Sequence, residues 1–181
     1  RMKKGQDAIY YITGDSLDAV RRSPQLEGFQ AKGVEVLLLT DPIDEFWVPS
    51  VGVYEKHPFK SVTRGGADLG KIEAEAADEK KPDEPKTEGI DALIAMVKLE
   101  LGDAVKDVRS SDRLTDSAVC LVADDGDLDM HLQRMLAQHK LLDRITPRVL
   151  EINPKHALIR SLAARARTNG AGADLKDAAH L

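Results

Sequence analysis

The sequence predicts an α/β layer with a small parallel sheet over residues 1–70, a charged linker over 71–89, and an α+β domain with a mixed sheet over 90–181. Three observations predict it. In the first part, β-rich runs alternate with segments whose apolar residues recur at helical spacing. The middle stretch contains Pro82 and Pro85, is low in large apolar residues and carries 7 acidic against 4 basic side chains, so it cannot bury enough surface to offset its ordering entropy. In the last part, strand runs and helical runs follow one another without the regular βαβ alternation. The 181 residues suffice for one ordinary domain or two small ones.

Each element has its own signal. Ile9-Tyr10-Tyr11-Ile12 reads as a strand, and Gly14-Asp15-Ser16 supplies a turn and a helix cap. A helical segment with Leu17, Val20, Leu26 and Phe29 follows, broken and restarted at Ser23-Pro24 and closed by Gly33 in the left-handed region. Residues 34–39 are a second strand, and the connection between the two strands makes a parallel βαβ unit. A helix over 43–51 leads to a third strand over 59–63. Beyond the linker, Ile90, Leu93, Ile94, Val97 and Leu101 lie on one helical face that ends at Gly102. Residues 105–110, 118–122 and 148–152 read as strands, and 128–140 as an amphipathic helix. Asn153-Pro154 caps and starts a last helix with Leu158, Ile159 and Leu162 inward.

Composition excludes several function classes. The chain has 42% hydrophobic and 31% charged residues with a net charge of −5, and its two halves are nearly neutral, with 9 basic and 10 acidic side chains in 1–70 and 13 and 14 in 90–181. Neither half has the basic footprint that nucleic acid requires, and no apolar run approaches the roughly 20 residues of a membrane span. With Cys120 its only cysteine the chain forms no internal disulfide, which points to a reducing compartment, the cytoplasm. The chain starts without an initiator methionine and stops in helix-forming sequence, and is expected to be a piece of a longer protein.

Most motifs that suggest chemistry have plainer readings. Gly65-Gly66-Ala67-Asp68-Leu69-Gly70-Lys71 has the spacing of a phosphate loop, but Ile72 stands where the magnesium-binding hydroxyl belongs and a charged linker follows. Asp124, Asp125, Asp127 and Asp129 fail the calcium-loop template, because Met130 and Leu136 occupy its glycine and glutamate positions when it is counted from Asp125, and they read as caps of the following helix. His57, His131, His139, His156 and His180 are too scattered for zinc pairs, and Cys120 sits inside the apolar run 118–122 as a core residue. No catalytic residue or metal ligand is assigned. The helix over 128–140 is more suggestive, with Leu128, Leu132, Met135 and Leu136 on one face and Met130 beside it. Such a stripe ordinarily faces a core, but methionine also suits a surface that accepts varied apolar partners. Phe46-Trp47 is a second sticky patch if exposed.

The segment Ile9-Tyr10-Tyr11-Ile12-Thr13-Gly14-Asp15-Ser16, then Ser23-Pro24, Gly33-Val34-Glu35-Val36-Leu37 and Asp41-Pro42-Ile43-Asp44-Glu45 resembles the 90-kDa heat-shock chaperone family. Lys106-Asp107-Val108-Arg109, Asp112-Arg113-Leu114-Thr115-Asp116-Ser117 and Glu151-Ile152-Asn153-Pro154 resemble its bacterial HtpG branch, in the same order. The resemblance implies an ATP-dependent, dimeric, cytoplasmic chaperone that remodels non-native client proteins. It implies that 1–70 is the end of the middle domain and 90–181 most of the C-terminal dimerisation domain. ATP, Mg and the catalytic arginine would belong to parts outside this chain, so this piece would need no cofactor. The client-contacting positions implied are Leu128, Leu132, Met135 and Leu136, with Phe46 and Trp47 in a middle-domain patch. Leu175, Ala178, Ala179 and Leu181 would begin the bundle that pairs protomers, so the homodimer would be weakened or lost in this piece. The competing reading is an enzyme domain that binds a nucleotide or phosphate at the Gly14-Asp15-Ser16 turn, where a helix starts.

Overall fold

The computed structural model describes residues 2–64, 69, 72, 88–142, 144–169 and 177–180. The chain divides into two compact units: unit 1 comprises Arg1–Ala76 and Val122–Thr146, and unit 2 comprises Ala77–Leu121 and Pro147–Leu181. The sequence boundaries differ from this division, because residues 122–146, read as part of the second domain, cluster with the first. Backbone and side-chain bonds account for the difference: Ala123 N–H donates to the Thr63 carbonyl at 2.8 Å, and the buried Asp129 carboxylate accepts from Ser61 and Thr63.

Unit 1 is built on strands β1 (Ile9–Thr13), β2 (Val36–Leu39), β3 (Val53–Tyr54) and β4 (His57–Ser61), in the order β2-β1-β4-β3. β1 pairs in parallel with β2 and with β4, while β3 and β4 form an antiparallel hairpin. That hairpin has no counterpart in the sequence reading, since its turn residues Glu55 and Lys56 adopt φ of 46° and 71° without the usual glycine or asparagine. The β1-to-β2 crossover holds α1 (Leu17–Arg21), a 3-10 turn at Pro24–Leu26 and α2 (Glu27–Ala31). Ser16 and Ser23 accept from the backbone at the two restarts, and Gly33 has φ of 63°. Alternation along β1 sends Tyr10 and Ile12 into a core with Val20, Leu26 and Phe29, and the Tyr10 and Phe29 rings lie 4.7 Å apart. Helix α3 (Asp44–Val51) follows β2.

One residue of the expected linker over 71–89 packs with unit 1. Ile72 is buried in the unit 1 core, and Lys32 Nζ donates to the carbonyls of Leu69 and Ile72. The rest of that linker (71 and 73–87), and the loop residues 65–68 and 70–71, lie outside the described residues.

In unit 2, α4 (Ile90–Leu101) turns Ile90, Leu93 and Val97 inward, as its periodicity predicts. Gly89 caps it at φ of 85°, and a Cβ there would stand 2.5 Å from the Ala163 carbonyl, so α4 meets α6 (Ala157–Asn169) at a place that admits no side chain. The sheet has the order β5-β7-β6, from β5 (Val105–Ser110), β7 (Arg148–Ile152) and β6 (Val119–Val122), with β5 and β7 parallel. Their register sets Arg109 opposite Glu151. Glu151 is buried and accepts from Arg109 at 2.8 Å, from Arg113 at 2.9 Å and from Ser111 at 3.0 Å. Burial opposes its ionisation, but the Arg113 charge and these bonds together hold its carboxyl below the usual range. Leu158, read as inward, is 55% exposed, because the buried face of α6 runs through Ile159 and Ala163.

Candidate functional site

The amphipathic segment of the second half is α5 (Met130–Gln138), capped by Asp129, whose carboxylate accepts from the His131 backbone N–H at 3.1 Å. The face turned into unit 1 is polar. Asp129 is buried, and Gln133, one turn on, is only 1% exposed, with neither amide atom hydrogen-bonded. Leu128 is 40% exposed, and Leu132, Met135, Leu136 and Met130 are half-buried. Met130 Sδ accepts from Gln25 Nε2 at 3.2 Å. Two exposed apolar residues past the helix, Leu141 and Ile145, escaped the sequence reading because no periodicity marks a loop residue.

α5 is tied to α3 and to the β1–α1 turn through His131. Its Nδ1 lies 2.6 Å from Glu45 Oε1 and its Nε2 3.0 Å from Asp15 Oδ1. Burial disfavours the charged ring, but the two carboxylates outweigh it and raise the His131 pKa above its ordinary value. The same bond lowers that of Asp15, whose other oxygen is 3.6 Å from Arg134 Nη1. On α3, Phe46 is 52% and Trp47 37% exposed. Trp47 is held by a bond from its Nε1 to Asp44 Oδ1 at 2.6 Å and by an edge-to-face contact with Phe59 at 6.0 Å. Ile43, Val53 and Tyr54 are also exposed around it. Thus Glu45 and His131, which bind each other, are each followed in sequence by an apolar residue, Phe46 and Leu132.

The Gly14-Asp15-Ser16 turn borders a cavity of about 310 Å³ that Arg22, Ser23, Gln25, His131 and Arg134 also line, but the side chains of the turn are engaged in the protein's own contacts. Ser16 caps α1, Asp15 binds His131 and Arg134, and the space a Cβ would need at Gly14 is taken by Val20 Cγ2 at 2.6 Å. Of the residues read as dimer-forming, Leu175 and Leu181 lie outside the described residues. Ala178 and Ala179 are half-buried and line an aliphatic cavity of about 320 Å³ in unit 2 with Leu93, Val97, Leu121 and Leu162.

Comparison with known proteins decides the family, since the Hsp90 protein family profile matches residues 1–181. The chain belongs to the Hsp90 family. Over its whole length it is 59% identical to the chaperone protein HtpG of Paramagnetospirillum magneticum and 56% identical to that of Roseobacter denitrificans. Identity to the HtpG of Wolbachia pipientis is 46%, again over the whole chain. The chain spans 29%, 30% and 29% of these relatives, less than a third of each. Among the described residues, no helix is long and apolar enough to cross a membrane.

Proposed function

We propose that the chain is the client-contacting and dimerising part of an ATP-dependent HtpG-type chaperone, made of the end of its middle domain and most of its C-terminal domain. The observation that carries the reading is the packing of α5: Gln133 and Asp129 are buried while Leu128, Leu132, Met135 and Leu136 retain access to solvent. Apolar side chains left in water bind partners because contact removes them from it, with about 1.5–3 kcal/mol available per large side chain fully buried. Non-native polypeptides, which expose apolar segments, are the matching partners, and Phe46 and Trp47 extend the surface they meet.

Replacing both Leu132 and Met135 by Ser should weaken binding of a permanently unfolded, carboxymethylated polypeptide tenfold or more and leave the melting temperature within a few degrees of the parent. A large fall in melting temperature would instead mean that the row is core.

The ATPase site belongs to the part of the protein outside this chain, which in full length works in the cytoplasm. Calorimetric titration of the chain with ATP is therefore expected to give no binding heat, and turnover that disappears in Lys71→Ala would contradict this. Protomers pair through the segment around Ala178 and Ala179, and replacing both by Asp is expected to shift the chain toward monomer in sedimentation equilibrium at micromolar concentration. An unchanged dimer in that variant would place the association elsewhere.

A further inference from the structure

We propose that Asp129 is the positioning residue of the α5 surface: its carboxylate pins the helix onto the carboxyl ends of β1 and β4 and thereby sets the face that packs inward, with Gln133 buried and the apolar row left partly exposed. The inference rests on the reading of α5 as the client-contacting element and adds what orients it.

The parallel pairing of β1 and β4, with Tyr11 opposite Ser61, brings the ends of the two strands side by side. Three hydroxyl side chains converge there, Thr13 at the end of β1, Ser61 at the end of β4 and Thr63 two residues later, and all three are buried. Buried hydroxyls each carry a proton that needs an acceptor. An ionised carboxylate is the side chain that offers acceptors alone, and Asp129 meets this need. Its Oδ2 accepts from Ser61 Oγ at 2.5 Å and Thr63 Oγ1 at 2.8 Å, and its Oδ1 lies 3.5 Å from Thr13 Oγ1. Oδ1 also accepts from the His131 N–H, so a single carboxylate joins the cap of α5 to the sheet. Such charge-assisted bonds are shorter and stronger than neutral ones.

The rest of the helix contributes little to the choice of face. Gln133 is the only buried residue within α5, and its amide makes no hydrogen bond, so that position opposes docking as much as it favours it. The apolar residues of α5 are only partly covered, none of them fully buried. An amphipathic helix left to hydrophobic burial alone turns its apolar side inward. Here the one fully buried side chain is the polar Gln133, and the bonds that fix this orientation come from Asp129, with His131 as a second tie to Glu45 and Asp15.

The test is hydrogen exchange of the α5 amides together with binding of the carboxymethylated polypeptide, in the chain carrying Asp129→Ala, and separately in Ser61→Ala/Thr63→Val, which keeps the helix cap. Both variants should raise exchange across Met130–Gln138 at least tenfold while β1 and β2 stay protected, and both should weaken polypeptide binding several-fold. Asp129→Glu, which keeps the carboxylate, should recover part of the protection. Unchanged α5 exchange in the Ser61→Ala/Thr63→Val variant overturns the proposal, and remains readable if Asp129→Ala unfolds the unit. Raised exchange with binding unaffected in these variants and in Leu132→Ser/Met135→Ser would sustain the pin and instead overturn the client-surface reading.

Discussion

Helix α4 of unit 2 sends Ile90, Leu93 and Val97 into a core with Val108, Ile152 and Ile159, whereas α5 of unit 1 sends in Gln133 behind the buried cap Asp129 and leaves Leu132, Met135 and Leu136 only partly covered. Both helices carry apolar residues at helical spacing in the sequence. The difference teaches that amphipathic spacing says which residues share a face and nothing about where that face points. For α4 the hydrophobic effect decides, since each fully buried aliphatic side chain contributes about 1.5–3 kcal/mol. For α5 a buried carboxylate and an imidazole bridge decide, and these are directional.

The two regions should respond differently to substitution, and the largest effect is expected in unit 2. Glu151→Gln leaves Arg113 buried without its charge partner, and breaking a buried pair of this kind costs about 3–5 kcal/mol, measurable by urea unfolding. Because the carboxyl of Glu151 is held below its ordinary range, its contribution is present above the unfolded value near 4.3 and lost as pH falls through the lower folded value. The variant should therefore lose part of the acid sensitivity of unit 2.

Next in size is the contrast between equivalent truncations. Leu93→Ala, at a fully buried site, should cost about 2–5 kcal/mol. Leu132→Ala on α5 should cost less than Leu93→Ala, because a side chain that is only partly buried leaves a smaller cavity. Equal costs would erase the distinction between the helices. Conversely, Gln133→Leu makes α5 more like α4 by replacing an unpaired buried amide with an aliphatic group, and should stabilise unit 1 by about 1–3 kcal/mol in the same assay. Destabilisation would show that the amide is satisfied in solution.

The smallest effect is a pH dependence confined to α5. The folded-state pKa of His131 is raised, so the bridge to Asp15 and Glu45 is fully present below about 6.5 and lost as pH rises through the folded value. Asp15 has the opposite sense, its contribution being lost only as pH falls through its lowered value. After correction for intrinsic rates, exchange of α5 amides should accelerate from pH 6 to pH 8 in the parent and not in His131→Gln, while α4 amides show no such change.

These contrasts also explain what the sequence could reveal. The strand runs at 9–12, 105–110 and 148–152, the break at Ser23-Pro24, and the end of α4 at Gly102 were legible because each depends on neighbours within a few residues. The cap at Asp129 was legible for the same reason. Its second role was not, because the hydroxyls that meet it come from Thr13, Ser61 and Thr63, 116, 68 and 66 residues earlier. The bridge from His131 to Glu45 spans 86 residues and was hidden likewise. Leu158 was misplaced because the inward face of α6 is fixed by its fit against α4, where Gly89 touches Ala163, and not by local apolar count.

The orientation of α5 is tested most directly by thiol labelling in a Cys120→Ser background, with one cysteine introduced at a time by Met135→Cys or Gln133→Cys. A thiol reacts only where it is accessible. Met135→Cys, at a partly exposed position, is expected to label at least tenfold faster than Gln133→Cys, at a buried one. Rapid labelling at 133 with protection at 135 would mean that the apolar row faces inward, and would contradict the account.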